Sequence, residues 1–164
     1  MLKPRAQLLK LSERVLPLAA RMPFLLQRIA LERSLNQLFA EPLVEGAFEA
    51  LEGHWMRLEV PDLGLGWCLT CDRQTLRIAA QAPVQVTIRG NWREFLLLAS
   101  RQEDPDTLFF RRRLVIEGDT ELGLAIKNLI DSLDPDMLPP WLWMLLQGAG
   151  EEVAQAGRAQ PVSA

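Results

Sequence analysis

Apolar residues recur along this chain with two different periods, and the change of period marks out its elements. Up to about residue 51 the spacing is helical. Leu8, Leu9, Leu11, Val15 and Leu16 share one broad face, opposite Lys10 and Arg14. Phe24 to Phe39 repeats the pattern with Leu25, Leu26, Ile29, Leu35 and Leu38. Pro17 and Pro23 interrupt residues 5–39, and a proline inside a helix removes a hydrogen bond and clashes with the preceding turn, so this region reads as more than one helix. A third helix is expected from Pro42 to Leu51, with Gly53 as its stop.

From Trp55 the period drops to two. Trp55–Val60, Gly64–Cys71, Thr75–Ala80 and Val84–Arg89 are short runs separated by Pro61-Asp62, Asp72-Arg73 and Ala82-Pro83, and they read as an antiparallel meander. Met56, Leu58 and Val60 alternate with Arg57 and Glu59, which gives a strand one buried and one wet face. Asn91 then opens a helix through Ser100, and residues 101–107 read as a charged loop. Leu114–Glu117 forms a fifth strand. Asp119 or Thr120 caps a helix to about Leu133 by accepting from its free N–H groups, with Glu121 well placed in the first turn. A last helix is expected from Pro140 to Gly148, with a fraying tail from Gly150. The resulting division is a basic helical extension over residues 1–40, a folded domain over 41–149 and a tail over 150–164.

Composition narrows the class. Nearly half of the 164 residues are apolar, enough for one sizeable core, yet no run of eighteen apolar residues suggests a membrane-spanning helix. The N-terminus mixes basic and apolar residues, unlike a secretory leader. With two cysteines, a reducing, cytoplasmic setting is expected. The formal charge of −3 conceals an asymmetry: residues 1–33 hold seven cations and two carboxylates, or +5, while the rest of the chain carries −8. A basic amphipathic end suits an anionic membrane surface through Lys3, Arg5, Lys10, Arg14, Arg21 and Arg28; the plainer alternative is a pair of surface helices packed on the domain.

Residues with reactive side chains form no convincing catalytic set. Cys68 and Cys71 sit three apart on a strand and so face opposite sides of the sheet, as inert thiols rather than metal ligands or a redox pair. His54 is the single histidine, with only Glu52 as a nearby carboxylate. No serine lies in a nucleophile elbow, no glycine-rich phosphate loop appears, and Asp131, Asp134 and Asp136 lack calcium-loop spacing. Arg111-Arg112-Arg113 could grip phosphate or nucleic acid. On a strand, however, these side chains would alternate in direction, and pairing with Asp104, Asp106, Glu117 or Asp119 is the favoured reading. The expectation is therefore no metal, no cofactor and no nucleic-acid partner, and a small enzyme such as a hydrolase would require a polar cluster around His54 within a cleft. Trp141, Trp143 and their leucine neighbours suggest the wall of an apolar pocket, or simple packing on the sheet.

The stretch Asp106 to Leu124, with its Leu-Val-Ile-Glu-Gly-Asp corner, and the run Lys127-Asn128-Leu129-Ile130-Asp131 resemble the sterol carrier protein type 2 domain. The likeness spans about residues 42–148 and is narrowest to the accessory-factor branch of bacterial oxygen-independent ubiquinone biosynthesis. It implies an α+β sterol-carrier-like fold: a five-stranded, mostly antiparallel sheet covered by helices, with an apolar tunnel. It also implies a non-catalytic role, holding isoprenoid quinone intermediates or phospholipid for the ubiquinone-pathway hydroxylation proteins, in the cytoplasm with peripheral attachment at the inner membrane. A protein-interaction scaffold without lipid is the alternative. Apolarity and position then nominate Phe95, Leu98, Phe109, Leu114, Ile116, Leu124, Leu129, Trp141 and Leu145 as lipid contacts.

Overall fold

The computed structural model describes residues 7, 10, 13–15, 17–18, 20–134, 136 and 139–159. In chain order the elements are α1 (Phe24–Leu38), α2 (Ala40–Val44), β1 (Met56–Val60), β2 (Leu65–Asp72), β3 (Thr75–Ala79), β4 (Val86–Arg89), α3 (Trp92–Ala99), α4 (Pro105–Phe110), β5 (Val115–Gly118), α5 (Thr120–Ser132) and α6 (Pro140–Ala159). One sheet holds all five strands in the order β3-β2-β1-β4-β5.

The expected meander is corrected at β4. This strand pairs in parallel with β1, Met56 opposite Val86, while the other three pairings are antiparallel. Ile78, Leu69, Met56 and Val86 thus fall in one row across four strands, all buried. That row continues into a core with Leu43, Phe48, Leu51, Leu76, Ile88, Leu122, Ile126 and Leu129, so the helices cover this face. On the other face the wet positions form an ionic ladder. Glu59 accepts from Arg57 at 2.8 Å and from Arg89 at 2.7 Å, and Arg89 reaches Glu117 at 3.5 Å. The Arg89 bond, followed by that of Arg57, holds the Glu59 carboxyl below its usual range.

An outer strand exposes main-chain groups that must be covered or blunted. At β3 that is done by α1. Asn36 Oδ1 accepts from the Leu76 N–H at 2.7 Å, its Nδ2 donates to the Leu76 carbonyl at 2.9 Å, and Glu32 accepts from the Ile78 N–H at 2.7 Å. Gln27 takes the Trp67 indole N–H at 3.0 Å. The same helix packs Phe24, Leu31 and Leu35 against the core and leaves Leu25, Leu26 and Ile29 more than half exposed.

Three further expectations are corrected. The Pro42–Leu51 helix stops at Val44, because Gly46 turns the backbone to φ +80° before a short 3-10 turn at Glu49–Leu51. Residues 101–107 do not form a simple loop: Asp104 caps α4 by accepting from the Thr107 N–H, and Pro105 fills the first helical position. Nor does the last helix end at Gly148. It continues to Ala159 with Gly148, Gly150 and Val153 buried, because α6 crosses α3 where Gly150 has no side chain. A Cβ there would lie 2.0 Å from Ser100 Oγ. At the other end of the sheet β5 closes on Gly118, whose φ of +113° suits glycine and whose Cβ would meet the Gln85 carbonyl at 2.2 Å.

Candidate functional site

A groove of about 1250 Å³ runs between α4, the turn after it, β5 and the first turns of α5. Its apolar lining is Phe109, Phe110, Leu114, Val115, Ile116 and Leu124. The local sequence explains its shape. Leu108, fully buried, pins α4 to the core; Phe109 packs partly against that core, and Phe110 projects outward. Phe110 is 90% exposed and Leu124 55% exposed, a large apolar surface for two neighbouring side chains that face one concavity. On the other wall Asp119 caps α5 by accepting from the Leu122 N–H at 2.8 Å, and Gly123 lets that helix sit close against Ile116. The expected tunnel thus takes the form of an open groove beside the outer strand.

Charge is distributed unevenly around this groove. Lys127 of α5 pairs with Asp106 of α4, bridging the two walls, and this contact raises the lysine above its ordinary value. The arginine triplet lies on the turn after α4 and not on a strand, since β5 begins only at Val115. Of the expected acidic partners it uses none: Arg113 turns away to Glu94 and Glu103, both at 2.8 Å. Arg111 and Arg112 are exposed, line the groove, and have no ionic partner among the described residues.

Of the nominated lipid contacts, the groove gathers Phe109, Leu114, Ile116 and Leu124. Leu129 is part of the core and Phe95 packs against it; Leu98 is half-buried on α3 and Leu145 is 46% exposed on α6, none of them lining the groove. Trp141 lies in the first turn of α6, and its side chain lies outside the described residues. Residue-by-residue reading passed over Phe110 and Val115, and it set aside phosphate binding by Arg111 and Arg112 in favour of ion pairs that these two do not make among the described residues. The doublet Phe109-Phe110 beside a capping Asp104-Pro105 was the available signal, since a short helix buries only one of two consecutive aromatics.

Among the nominated membrane cations, Lys10, Arg14, Arg21 and Arg28 are exposed, and Arg28 also meets Glu32 at 3.3 Å. Lys3 and Arg5 lie outside the described residues. His54 is exposed at a turn with its Nδ1 at 3.0 Å from the Glu52 carbonyl oxygen. Cys71 is buried beside Glu52, and burial pushes its thiol up, away from reactivity. Cys68 is buried on the opposite face of the strand. Among the described residues no helix is long and apolar enough to cross a membrane.

Residues 33–131, spanning the whole sheet and the groove, match the SCP-2 sterol transfer family. The chain belongs to the SCP-2 sterol transfer family. Within it, the chain is 37% identical over 160 residues to "Ubiquinone biosynthesis accessory factor UbiT" of Escherichia coli strain K12, covering 97% of this chain and 92% of that protein. The same identity and coverage hold for the protein of that name from Escherichia coli O157:H7. Among solved structures, "UbiJ-SCP2 Ubiquinone synthesis protein" shares the fold at a TM-score of 0.54 and 22% identity, over 66% of this chain and 97% of that one. The SCP-2 match begins at Arg33, partway along α1, so the basic segment before it lies beyond the matched region.

Proposed function

We propose that this chain is a non-catalytic accessory factor of ubiquinone biosynthesis. On this reading it holds polyprenylated intermediates, or membrane lipid, for the proteins that hydroxylate the ring without oxygen. The single observation that carries the reading is the groove beside β5. It is apolar along Phe109, Phe110, Leu114, Ile116 and Leu124 and open along its length, in a chain similar almost end to end to a ubiquinone biosynthesis accessory factor. Open geometry suits a carrier. A polyprenyl tail gains about 0.8 kcal/mol for each CH₂ removed from water, while a ring at the mouth stays within reach of a second protein.

The support for attachment to an anionic membrane surface is the N-terminal region. Val15, Leu18, Met22, Leu25, Leu26 and Ile29 are exposed there beside Lys10, Arg14 and Arg21. Apolar residues at headgroup depth and cations facing anionic lipid are the two requirements of a peripheral helix. In the same reading the protein is cytoplasmic, works at the inner membrane and delivers lipid to partner enzymes.

One experiment separates the two parts. Liposomes containing anionic phospholipid and a fluorescent polyprenyl phenol are mixed with the full chain. Charge reversal at Lys10, Arg14 and Arg21 should abolish co-flotation, whereas Leu124→Glu should leave co-flotation intact and abolish uptake of the fluorophore. No uptake by the unaltered protein would refute the carrier role and favour a scaffold that joins pathway enzymes without lipid.

A further inference from the structure

We infer that Arg111 and Arg112 form a headgroup clamp at the rim of the groove, selecting amphiphiles with a phosphate-type anionic head on an apolar chain. The inference rests on the reading of the groove as a lipid site and adds the residues that select among its occupants by headgroup.

Three observations carry it. The charged side chains that line the groove are Asp106, Asp119, Lys127, Arg111 and Arg112. Asp106 is engaged by Lys127, and Asp119 is engaged in capping α5. Only the two adjacent arginines are left with neither an ion pair nor a side-chain hydrogen bond among the described residues, beside an exposed apolar wall. Guanidinium groups are planar forks that match phosphate oxygens two bonds at a time, so two of them at one rim suit a tetrahedral oxyanion better than an uncharged head.

The backbone at Arg112 agrees with this placement, in a left-handed conformation that Arg73, Gln74 and Arg101 also adopt away from the groove. Arg112 sits at φ +57° in the turn that ends α4, where its N–H donates to the Phe109 carbonyl at 3.0 Å. Glycine is the residue that such a helix-ending position favours, and a larger side chain there is strained. Strain of this kind clusters at binding sites. Here it places a cation at the groove mouth at the expense of local stability.

The third observation concerns Arg113. It is the member of the triplet with a structural task, tied to Glu94 and Glu103 on the far side. Its pairing fixes the direction of the turn and leaves Arg111 and Arg112 facing the groove.

The test uses the purified full chain and three probes below their micelle concentrations: decyl phosphate, decyl glucoside and inorganic phosphate. Calorimetric titration should show decyl phosphate binding roughly tenfold tighter than decyl glucoside, the scale of one charge-assisted hydrogen bond at an exposed site. That advantage should narrow as salt is raised. Arg111→Gln with Arg112→Gly should abolish it, so that the two amphiphiles bind with equal affinity. Because glycine relieves the positive φ, Arg112→Gly alone should melt no lower than the unaltered protein while still losing part of the preference. A purely structural role for Arg112 would give the opposite, a lower melting temperature with the preference intact. Equal affinity for the two amphiphiles in the unaltered protein would overturn the clamp but leave the groove. Binding of neither would overturn the groove reading itself. Inorganic phosphate binding as tightly as decyl phosphate would assign the arginines to free phosphate and overturn the amphiphile.

Discussion

Replacing Asn36 by alanine tests whether α1 is an integral cover of the sheet rather than an appendage. Asn36 makes two bonds to the main chain of Leu76, a donor and an acceptor, at 2.9 and 2.7 Å. Leu76 itself is 1% exposed, so water does not readily replace them. Each such bond contributes about 1 kcal/mol net, and a main-chain group left unpaired on burial costs about 1–3 kcal/mol. Against this, alanine favours a helix over asparagine by about 0.5 kcal/mol. The losses win, for a net destabilisation of about 1.5–2.5 kcal/mol. With a urea slope of about 2 kcal/mol per molar, the unfolding midpoint should fall by about 1 M. Amide exchange at Leu76 and Ile78 should quicken in native conditions, while exchange at Ile88, on the far side of the sheet, should change only through the global term. A loss below about 0.5 kcal/mol with unchanged exchange at Leu76 would refute the idea that α1 seals this edge.

Two other perturbations follow from the geometry. Gly150→Ala should destabilise by about 1–2 kcal/mol in thermal melts, because a Cβ 2.0 Å from Ser100 Oγ puts overpacking at about 2–3 kcal/mol, against the roughly 1 kcal/mol that alanine returns in helix propensity; Ser100→Ala should relieve it only partly, since the new Cβ would also lie 2.5 Å from Ser100 Cβ. Full rescue by Ser100→Ala would show that the helices separate more easily than their contact implies. Glu59 has a carboxyl held below its usual range by Arg89 and then Arg57, so its contribution is present above the unfolded carboxylate value of about 4.3 and is lost as pH falls through the lower folded value. Glu59→Gln should therefore be less stable than the unaltered protein at pH 7, by less than about 1 kcal/mol given the pair's exposure, and the gap should close below about pH 4. A gap that persists at pH 2 would point to packing, not charge.

The parts of the fold that were legible in the sequence are those set by neighbours in the chain. Alternation marked the strands of the sheet, and Asp119 or Thr120 announced α5 through a cap that the structure assigns to Asp119, bonded to the Leu122 N–H. Strand partners were not legible in the same way. Nothing local distinguishes a β4 that continues a meander from one that crosses to lie parallel to β1; that choice is made by which rows of apolar residues align, and Val86 completes the row of Met56, Leu69 and Ile78. Glycine misled in one case. Gly148 and Gly150 read as the end of the helix, yet both are buried within it, and the missing side chain of Gly150 serves a contact with α3 that only tertiary structure reveals. In the groove, apolarity found four of its lining residues but could not separate Leu124 from Leu129, which lie five positions apart on α5 and differ only in the face they take. The arginine triplet was read as a strand, and with that geometry gone its members divide into one structural and two groove-facing residues.

The most direct test of the central claim is native mass spectrometry of the full chain purified from its own cells, followed by extraction and identification of whatever it carries. The account predicts a mass above that of the chain alone, by one amphiphile with a long apolar chain, a polyprenylated quinone intermediate or a phospholipid, and loss of that increment in Leu124→Glu. A bare chain whose mass stays unchanged after incubation with such lipids would contradict it.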